Sequence, residues 1–160
     1  MLETQCQMTD QPGPELRIIN NQNDQPANQR ADKFSEAYFD SLWQDDLSEC
    51  LLALKSQTLA VKATGNPYLL VHLLTRTARC QGLSQKFEHA VETLNEADFV
   101  LIEAAQRDKH EHAQKHRAWL RYMIERGRLF YVTGWEGSAQ NFLNDAAVMA
   151  RDLGHFDLVR

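Results

Sequence analysis

Apolar residues recur at intervals of three and four positions from Phe34 to Leu153, and this spacing limits the possible folds more than any other feature. It places apolar side chains on one face of an α-helix, whereas a half-buried β-strand would show strict alternation. No segment of the sequence shows that alternation between turn residues. We therefore predict an all-α protein built from antiparallel helix-pair repeats.

Short signals mark where the first of these helices begin and end. Asp46 with Glu49 three positions later resembles a capping box, which starts a helix. Gly65 fits the position that follows a helix C-terminus. Asn66 and Pro67 are typical of an N-cap residue and of the first helical residue after it. We expect one helix to end at Gly65 and the next to begin at once.

The N-terminal part of the chain differs in composition from the rest. It is rich in Asn and Gln and has too few apolar side chains to offset the entropy lost on ordering. We predict a disordered polar tail over residues 1–33 and a helical repeat domain over residues 34–160. Within that domain, N-terminal helices occupy 34–64, and helix pairs occupy about 67–105 and 117–153.

A short apolar stripe follows the predicted tail. Its aromatic and leucine side chains recur at helical spacing, so we predict a docking helix here. The stripe consists of Phe34, Tyr38, Phe39, Leu42 and Trp43.

Three glycines lie close together in the second predicted helix pair. Glycine costs about 1 kcal/mol relative to alanine inside a helix, so each one needs a reason. We interpret Gly127 as a packing residue that, with Ala139, lets two antiparallel helices approach closely. We interpret Gly134 as the residue after a helix C-terminus and Gly137 as part of the following turn.

An earlier segment repeats this scheme about 50 residues before it. We predict that the helix that begins at Pro67 ends at Gly82, which lies eight positions before Ala90, against five positions between Gly134 and Ala139. Either the first turn is three residues longer, or the register of the first copy differs. Both interpretations fit the sequence.

The second copy resembles the tetratricopeptide-repeat (TPR) pattern. Gly127 falls on the glycine of that pattern, Phe130 on its aromatic residue and Ala139 on its alanine. The motifs ARCQGL and ERGR are similar to those of a mostly uncharacterised group of TPR-like helical repeat proteins. The resemblance implies a TPR-like α-solenoid, a fragment of a right-handed superhelix, that binds a peptide as a non-enzymatic scaffold. It implies no catalytic residue and no cofactor.

Charge, hydropathy and cysteine usage exclude several classes of function. A net charge of −5 argues against general affinity for nucleic acid or an anionic membrane surface, and no apolar run is long enough to span a membrane. Three widely spaced cysteines suit reduced thiols, with Cys50 and Cys80 as small core residues. We expect a cytoplasmic protein.

The resemblance to TPR proteins implies a concave groove that is lined by the first helix of each pair. In the second pair this helix is basic. A basic groove in an acidic protein suits an acidic peptide or a C-terminal carboxylate. The alternative is that these are solvated charges, with Arg121 and Glu125 as a simple i,i+4 pair. The predicted groove residues are His72, Arg76, Arg79, Arg121, Arg128 and Tyr131.

A histidine-rich junction offers an alternative function. The stretch HEHAQ begins like the zinc motif HExxH, but Gln114 stands where the second histidine is needed. His112 and His116 could share one helix face as a zinc pair. The alternative function is thus that of a metal- or small-ligand-binding helical bundle that uses His110, His112 and His116. The competing interpretation of these histidines is a solvated junction that binds no ligand.

The last residues of the sequence are relevant to whether the repeats continue or the chain forms oligomers. The stretch HFDLV reads as the start of another helix, and the sequence stops soon after it at Arg160. Repeat arrays need a polar terminal cap to stay soluble. We expect either a fragment of a longer array or a homo-oligomer formed through this end.

Overall fold

The computed structural model describes residues 46–109, 113–155 and 158 of the 160-residue chain. These residues form five α-helices and no β-strand, so the predicted all-α class is confirmed for this part of the chain. The predicted tail over residues 1–33 and the predicted docking helix lie outside the described residues. The helices are α1 (Leu47–Thr64), α2 (Pro67–Leu83), α3 (Phe87–Arg107), α4 (Ala113–Val132) and α5 (Glu136–Leu153).

The predicted ends of α1 and the start of α2 are confirmed. The Asp46 side chain accepts a hydrogen bond from the backbone N–H of Ser48 at 2.6 Å, which caps the N-terminus of α1. Gly65 has a φ of 72°, in the left-handed region where glycine is preferred at a helix end. The Asn66 side chain accepts from the N–H of Leu69 at 3.1 Å, so it caps α2.

The hairpin between α4 and α5 turns at Gly134. Its φ is 84°, and its N–H donates to the carbonyl of Tyr131 at 3.2 Å. The N–H of Trp135 donates to the carbonyl of Phe130 at 2.8 Å, which completes a Schellman motif. The role predicted for Gly134 is confirmed. The role predicted for Gly137 is wrong, because the turn needs only Gly134 and α5 has already begun at residue 136.

The hairpin between α2 and α3 uses the same turn with a different residue. Gln85 takes the left-handed position at a φ of 60°, and its N–H donates to the carbonyl of Gly82 at 3.0 Å. The N–H of Lys86 donates to the carbonyl of Gln81 at 2.8 Å. The prediction that α2 ends at Gly82 is therefore wrong, since the helix continues to Leu83 and the chain turns at Gln85.

This turn decides between the two registers left open by the sequence. Gln85 precedes Ala90 by five positions, as Gly134 precedes Ala139 by five. The turn between α2 and α3 is therefore as long as the turn between α4 and α5. What differs is the alignment of the two copies, in which Gln85 and not Gly82 corresponds to Gly134. Equivalent positions of the pairs α2–α3 and α4–α5 are 49 residues apart, as Gln85 and Gly134 are.

Helix α2 lies at the centre of the described structure, because α1, α3 and α4 all pack against it. Helix α5 packs on α4, and α3 also contacts α4. The buried side chains between these helices form one large cluster that includes Val71, Leu94 and Leu101, each at most 1% exposed. The two pairs therefore join side by side through α2 and α4.

A second buried cluster joins α1 to α2 and contains two cysteines. Cys50 and Cys80 are both fully buried, which confirms the prediction that they are small core residues. Their sulfur atoms lie 3.2 Å apart, in a contact that the sequence alone did not predict because the two residues are 30 positions apart. This contact places the first turn of α1 beside the last turn of α2.

Candidate functional site

Four arginines and one glutamate meet where α2 packs against α4. Arg128 donates from Nη1 to Oε1 of Glu125 at 2.7 Å, and Nη1 of Arg79 lies 3.5 Å from Oε2 of the same carboxylate. Arg76 and Arg121 lie close enough for their charges to act on one another. The Glu125 side chain is only 10% exposed, so its carboxylate is held between cations from two helices. We call Arg76, Arg79, Arg121, Arg128 and Glu125 the arginine cluster.

Arg76 is the most buried cation of the arginine cluster, at 8% exposure. Burial lowers the pKa of Arg76 to about 10; Glu125 opposes this shift, while the charges of Arg121, Arg79 and Arg128 add to it. The side chain is still a cation at neutral pH. The arginine cluster thus brings four guanidinium groups and one carboxylate together between α2 and α4.

The repeat explains why these charges meet. Arg79 and Arg128 are 49 positions apart, so they occupy equivalent positions of α2 and α4. Arg76 and Glu125 are likewise 49 positions apart, but there the repeat exchanges a cation for an anion. Because α2 and α4 lie side by side, equivalent positions come together, and Glu125 holds the arginines of both helices.

An apolar pocket opens beside the arginine cluster, at the C-terminal ends of α2 and α4. Its volume is about 90 Å³, which leaves room for a small aliphatic side chain. Leu83 and Val132 belong to its lining and are 51% and 58% exposed. The pocket lies against Arg79, Glu125 and Arg128 of the arginine cluster and is otherwise lined by Ala78, Gly82, Leu83, Leu94, Leu129 and Val132.

A second pocket of about 270 Å³ lies at the N-terminal ends of the same two helices. Its lining includes His72 and Arg121, which also occupy equivalent positions, together with Tyr68 and Arg117. Arg121 therefore links this pocket to the arginine cluster. We call the two pockets and the arginine cluster between them the basic groove.

Of the six predicted groove residues, His72, Arg79, Arg121 and Arg128 line one of the two pockets, and Arg76 belongs to the arginine cluster. The sixth, Tyr131, is 66% exposed and is not among the residues that line either pocket. Its neighbour Val132 does line the apolar pocket. Whether these six side chains contact a ligand stays a prediction.

Sequence reasoning missed the part played by Glu125, which it treated only as a partner of Arg121. The signal that could have found it was the 49-residue offset, which pairs Glu125 with Arg76. That offset depends on recognising Gln85 as a turn residue, and glutamine is uncommon in the left-handed region.

The metal-binding alternative falls mostly outside the described residues. His110 and His112 are not described, and His116 lies in α4, where it lines a pocket between α4 and α5. Among the described residues, no group of three or more His, Cys, Asp or Glu side chains is placed to hold a metal ion. The histidine site stays a prediction.

Comparisons with protein families, with curated proteins and with solved structures found no match for this chain. The functional argument therefore depends on the geometry of the basic groove. Of the helices that the structure describes, none is both long enough and apolar enough to cross a membrane.

Proposed function

We propose that this chain is a non-enzymatic interaction module of TPR-like architecture whose basic groove binds an acidic peptide segment. The architecture is supported by two helix pairs with the same Schellman turn and a constant offset of 49 residues. It is also supported by the way the first helices of the two pairs, α2 and α4, pack side by side.

The observation that carries the proposed function is the arginine cluster. Arg76 and Glu125 are buried at 8% exposure, whereas the Arg79 and Arg128 side chains are 28% and 40% exposed. These two partly exposed side chains can reach a ligand, and the buried carboxylate of Glu125 holds both of them. A guanidinium group binds a carboxylate through two parallel hydrogen bonds, so acidic side chains are the expected ligands.

The apolar pocket adds a second requirement for the ligand. It lies against Arg79 and Arg128, so a carboxylate bound there would place a neighbouring residue of the ligand near Leu83 and Val132. Burial of one aliphatic side chain contributes about 1.5–3 kcal/mol. The proposed ligand is therefore an acidic segment with a small aliphatic residue beside a carboxylate.

A titration with matched peptides tests this proposal. Three fluorescein-labelled peptides of twelve residues share the same Ala and Leu positions and carry Glu, Gln or Lys at all the others. Fluorescence anisotropy should show that the Glu peptide binds the full chain more tightly than the Gln peptide, and that the Lys peptide does not bind. Affinity for the Glu peptide should fall as salt rises, because screening acts over about 8 Å at physiological ionic strength. Equal affinity for the Glu and Gln peptides would contradict the proposal.

A further inference from the structure

Two thiol groups meet where the first turn of α1 contacts the last turn of α2. The sulfur of Cys50 lies 3.2 Å from the sulfur of Cys80, so one S–H group can donate a hydrogen bond to the other sulfur. In a disulfide the two sulfur atoms are about 2.05 Å apart, so this contact is only about 1 Å longer than the covalent bond. A movement of that size is comparable to ordinary thermal displacements of protein atoms.

The backbone explains why these two side chains meet. The chain turns between α1 and α2 at Gly65, and each of the two cysteines lies fifteen positions from that glycine. Residues equally distant from the turn come to lie opposite one another when two successive helices pack antiparallel. Fifteen helical positions span about 22 Å at 1.5 Å per residue. The turn therefore joins one end of this helix pair, and the two sulfur atoms lie at the other end.

Packing alone does not require cysteine at this place. Both cysteines belong to a buried apolar cluster with Leu54, Val61 and Leu73. The position equivalent to Cys80 in α4 is Leu129, 49 positions later, and it is buried as well. A leucine thus fills the same position of the second helix pair. Two adjacent thiols can do what an aliphatic pair cannot, which is to be oxidised to a disulfide.

The first turn of α1 offers a route by which an oxidant can reach the buried thiols. Asp46, Ser48 and Glu49 surround Cys50 in the sequence, and all three are exposed. Helix ends open at a much lower free energy than the whole fold does. Brief opening of this turn would expose the Cys50 thiol while α2 stays packed against α3 and α4.

We propose that Cys50 and Cys80 are a redox modification site, at which a reversible disulfide links α1 to α2. The oxidant is a low-molecular-weight disulfide of the glutathione type. The thiolate of one cysteine attacks a sulfur of the oxidant, which forms a mixed disulfide and releases one glutathione thiolate. The thiolate of the other cysteine then attacks the protein sulfur of the mixed disulfide and releases the second glutathione thiolate. Two protein thiols are oxidised, one glutathione disulfide is reduced to two thiols, and the protons pass to these through the solvent.

The disulfide would stabilise the helix pair. It closes a loop over residues 50–80, which limits the conformations of the unfolded chain. The site is separate from the basic groove, and its test needs no peptide.

Equilibration with glutathione tests the proposal on the full chain. The variant Cys6→Ser removes the remaining cysteine of the sequence and keeps the pair. Alkylation traps the thiols at equilibrium, and mass spectrometry of proteolytic fragments quantifies the disulfide between Cys50 and Cys80. In one glutathione buffer, the ratio of disulfide to dithiol should be at least about tenfold higher in the native chain than in the same chain in urea, because the fold holds the thiols together. Oxidation should also raise the Tm of Cys6→Ser by at least about 3 °C.

Control variants separate the bond from other effects of the oxidant. The variants C6S/C50S and C6S/C80S each keep one thiol of the pair, so oxidised glutathione should not raise their Tm. Dithiothreitol should return oxidised C6S to the Tm of the reduced protein. A ratio of disulfide to dithiol in the native chain that is no higher than in urea would overturn the inference, because the fold would then resist the bond. Mixed disulfides with glutathione in place of the internal bond would overturn it too.

Discussion

Gly127 of α4 lies directly against Leu143 of α5. A Cβ atom built on Gly127 would be 2.8 Å from Cγ of Leu143 and 3.3 Å from Cβ of Phe142. Real Cβ contacts are essentially never as short as the first of these distances. The packing role predicted for Gly127 is therefore confirmed, and its nearest neighbours on α5 are Leu143 and Phe142 rather than Ala139.

Replacement of Gly127 by leucine should destabilise the protein. The larger side chain would collide with Leu143, so the free energy of unfolding should fall by about 1–3 kcal/mol despite leucine's better helix propensity. Urea unfolding measures this change. Gly137→Ala is the control, because no atom lies within 4 Å of a Cβ there, and it should not destabilise the chain. Greater stability of the leucine variant would mean that this contact is wrong.

The two equivalent turn positions should respond to substitution in opposite directions. Gln85 holds a φ of 60° that disfavours residues other than glycine, so Gln85→Gly should raise the free energy of unfolding by up to about 1 kcal/mol. Gly134→Gln imposes the same strain on the other hairpin and should lower it by about 1–2 kcal/mol. Thermal unfolding followed by circular dichroism measures both. A change of the same sign in the two variants would show that the turns are not equivalent.

Tyr122 should make stability depend on pH in the alkaline range. Burial raises the pKa of Tyr122 to about 12, and the charge of Asp98 and a hydrogen bond to it add to the shift, partly offset by Arg126. The unfolded chain ionises its tyrosines near pH 10, so it releases this proton first. The stabilising contribution is complete below pH 10 and is lost as pH rises from 10 to 12. Urea unfolding across this range should show a shallower decline for Tyr122→Phe than for the wild type. Parallel declines would contradict the assignment.

The sequence predicted those features that depend on neighbouring residues alone. Asp46 and Asn66 cap their helices, and Gly65 and Gly134 end theirs, because each acts on backbone groups within a few positions. Gln85 escaped prediction because glutamine has no particular preference for a turn, and the tertiary structure holds it in the left-handed region.

The residues of the arginine cluster could largely be predicted from the sequence, but their burial could not. Helical spacing on α2 and α4 selected Arg76, Arg79, Arg121 and Arg128, which do come together. It could not show that Arg76 is buried, because that depends on how many helices pack around α2. It could not place Glu125 between the arginines of two helices either, since that position depends on how the repeats stack.

The central claim is that the arginine cluster makes the basic groove a site for acidic peptides. The most direct test is the dissociation constant of the Glu peptide for the full-length wild type, R121E/R128E and R107E/R151E, with far-UV circular dichroism to show that all three are equally helical. We predict that R121E/R128E binds at least about tenfold more weakly, a loss of about 1.4 kcal/mol or more, because two cations that face the ligand become anions. The control R107E/R151E has the same net charge as R121E/R128E, with its reversed residues at the ends of α3 and α5, and should bind like the wild type. A dissociation constant for R121E/R128E within twofold of the wild-type value would contradict the account.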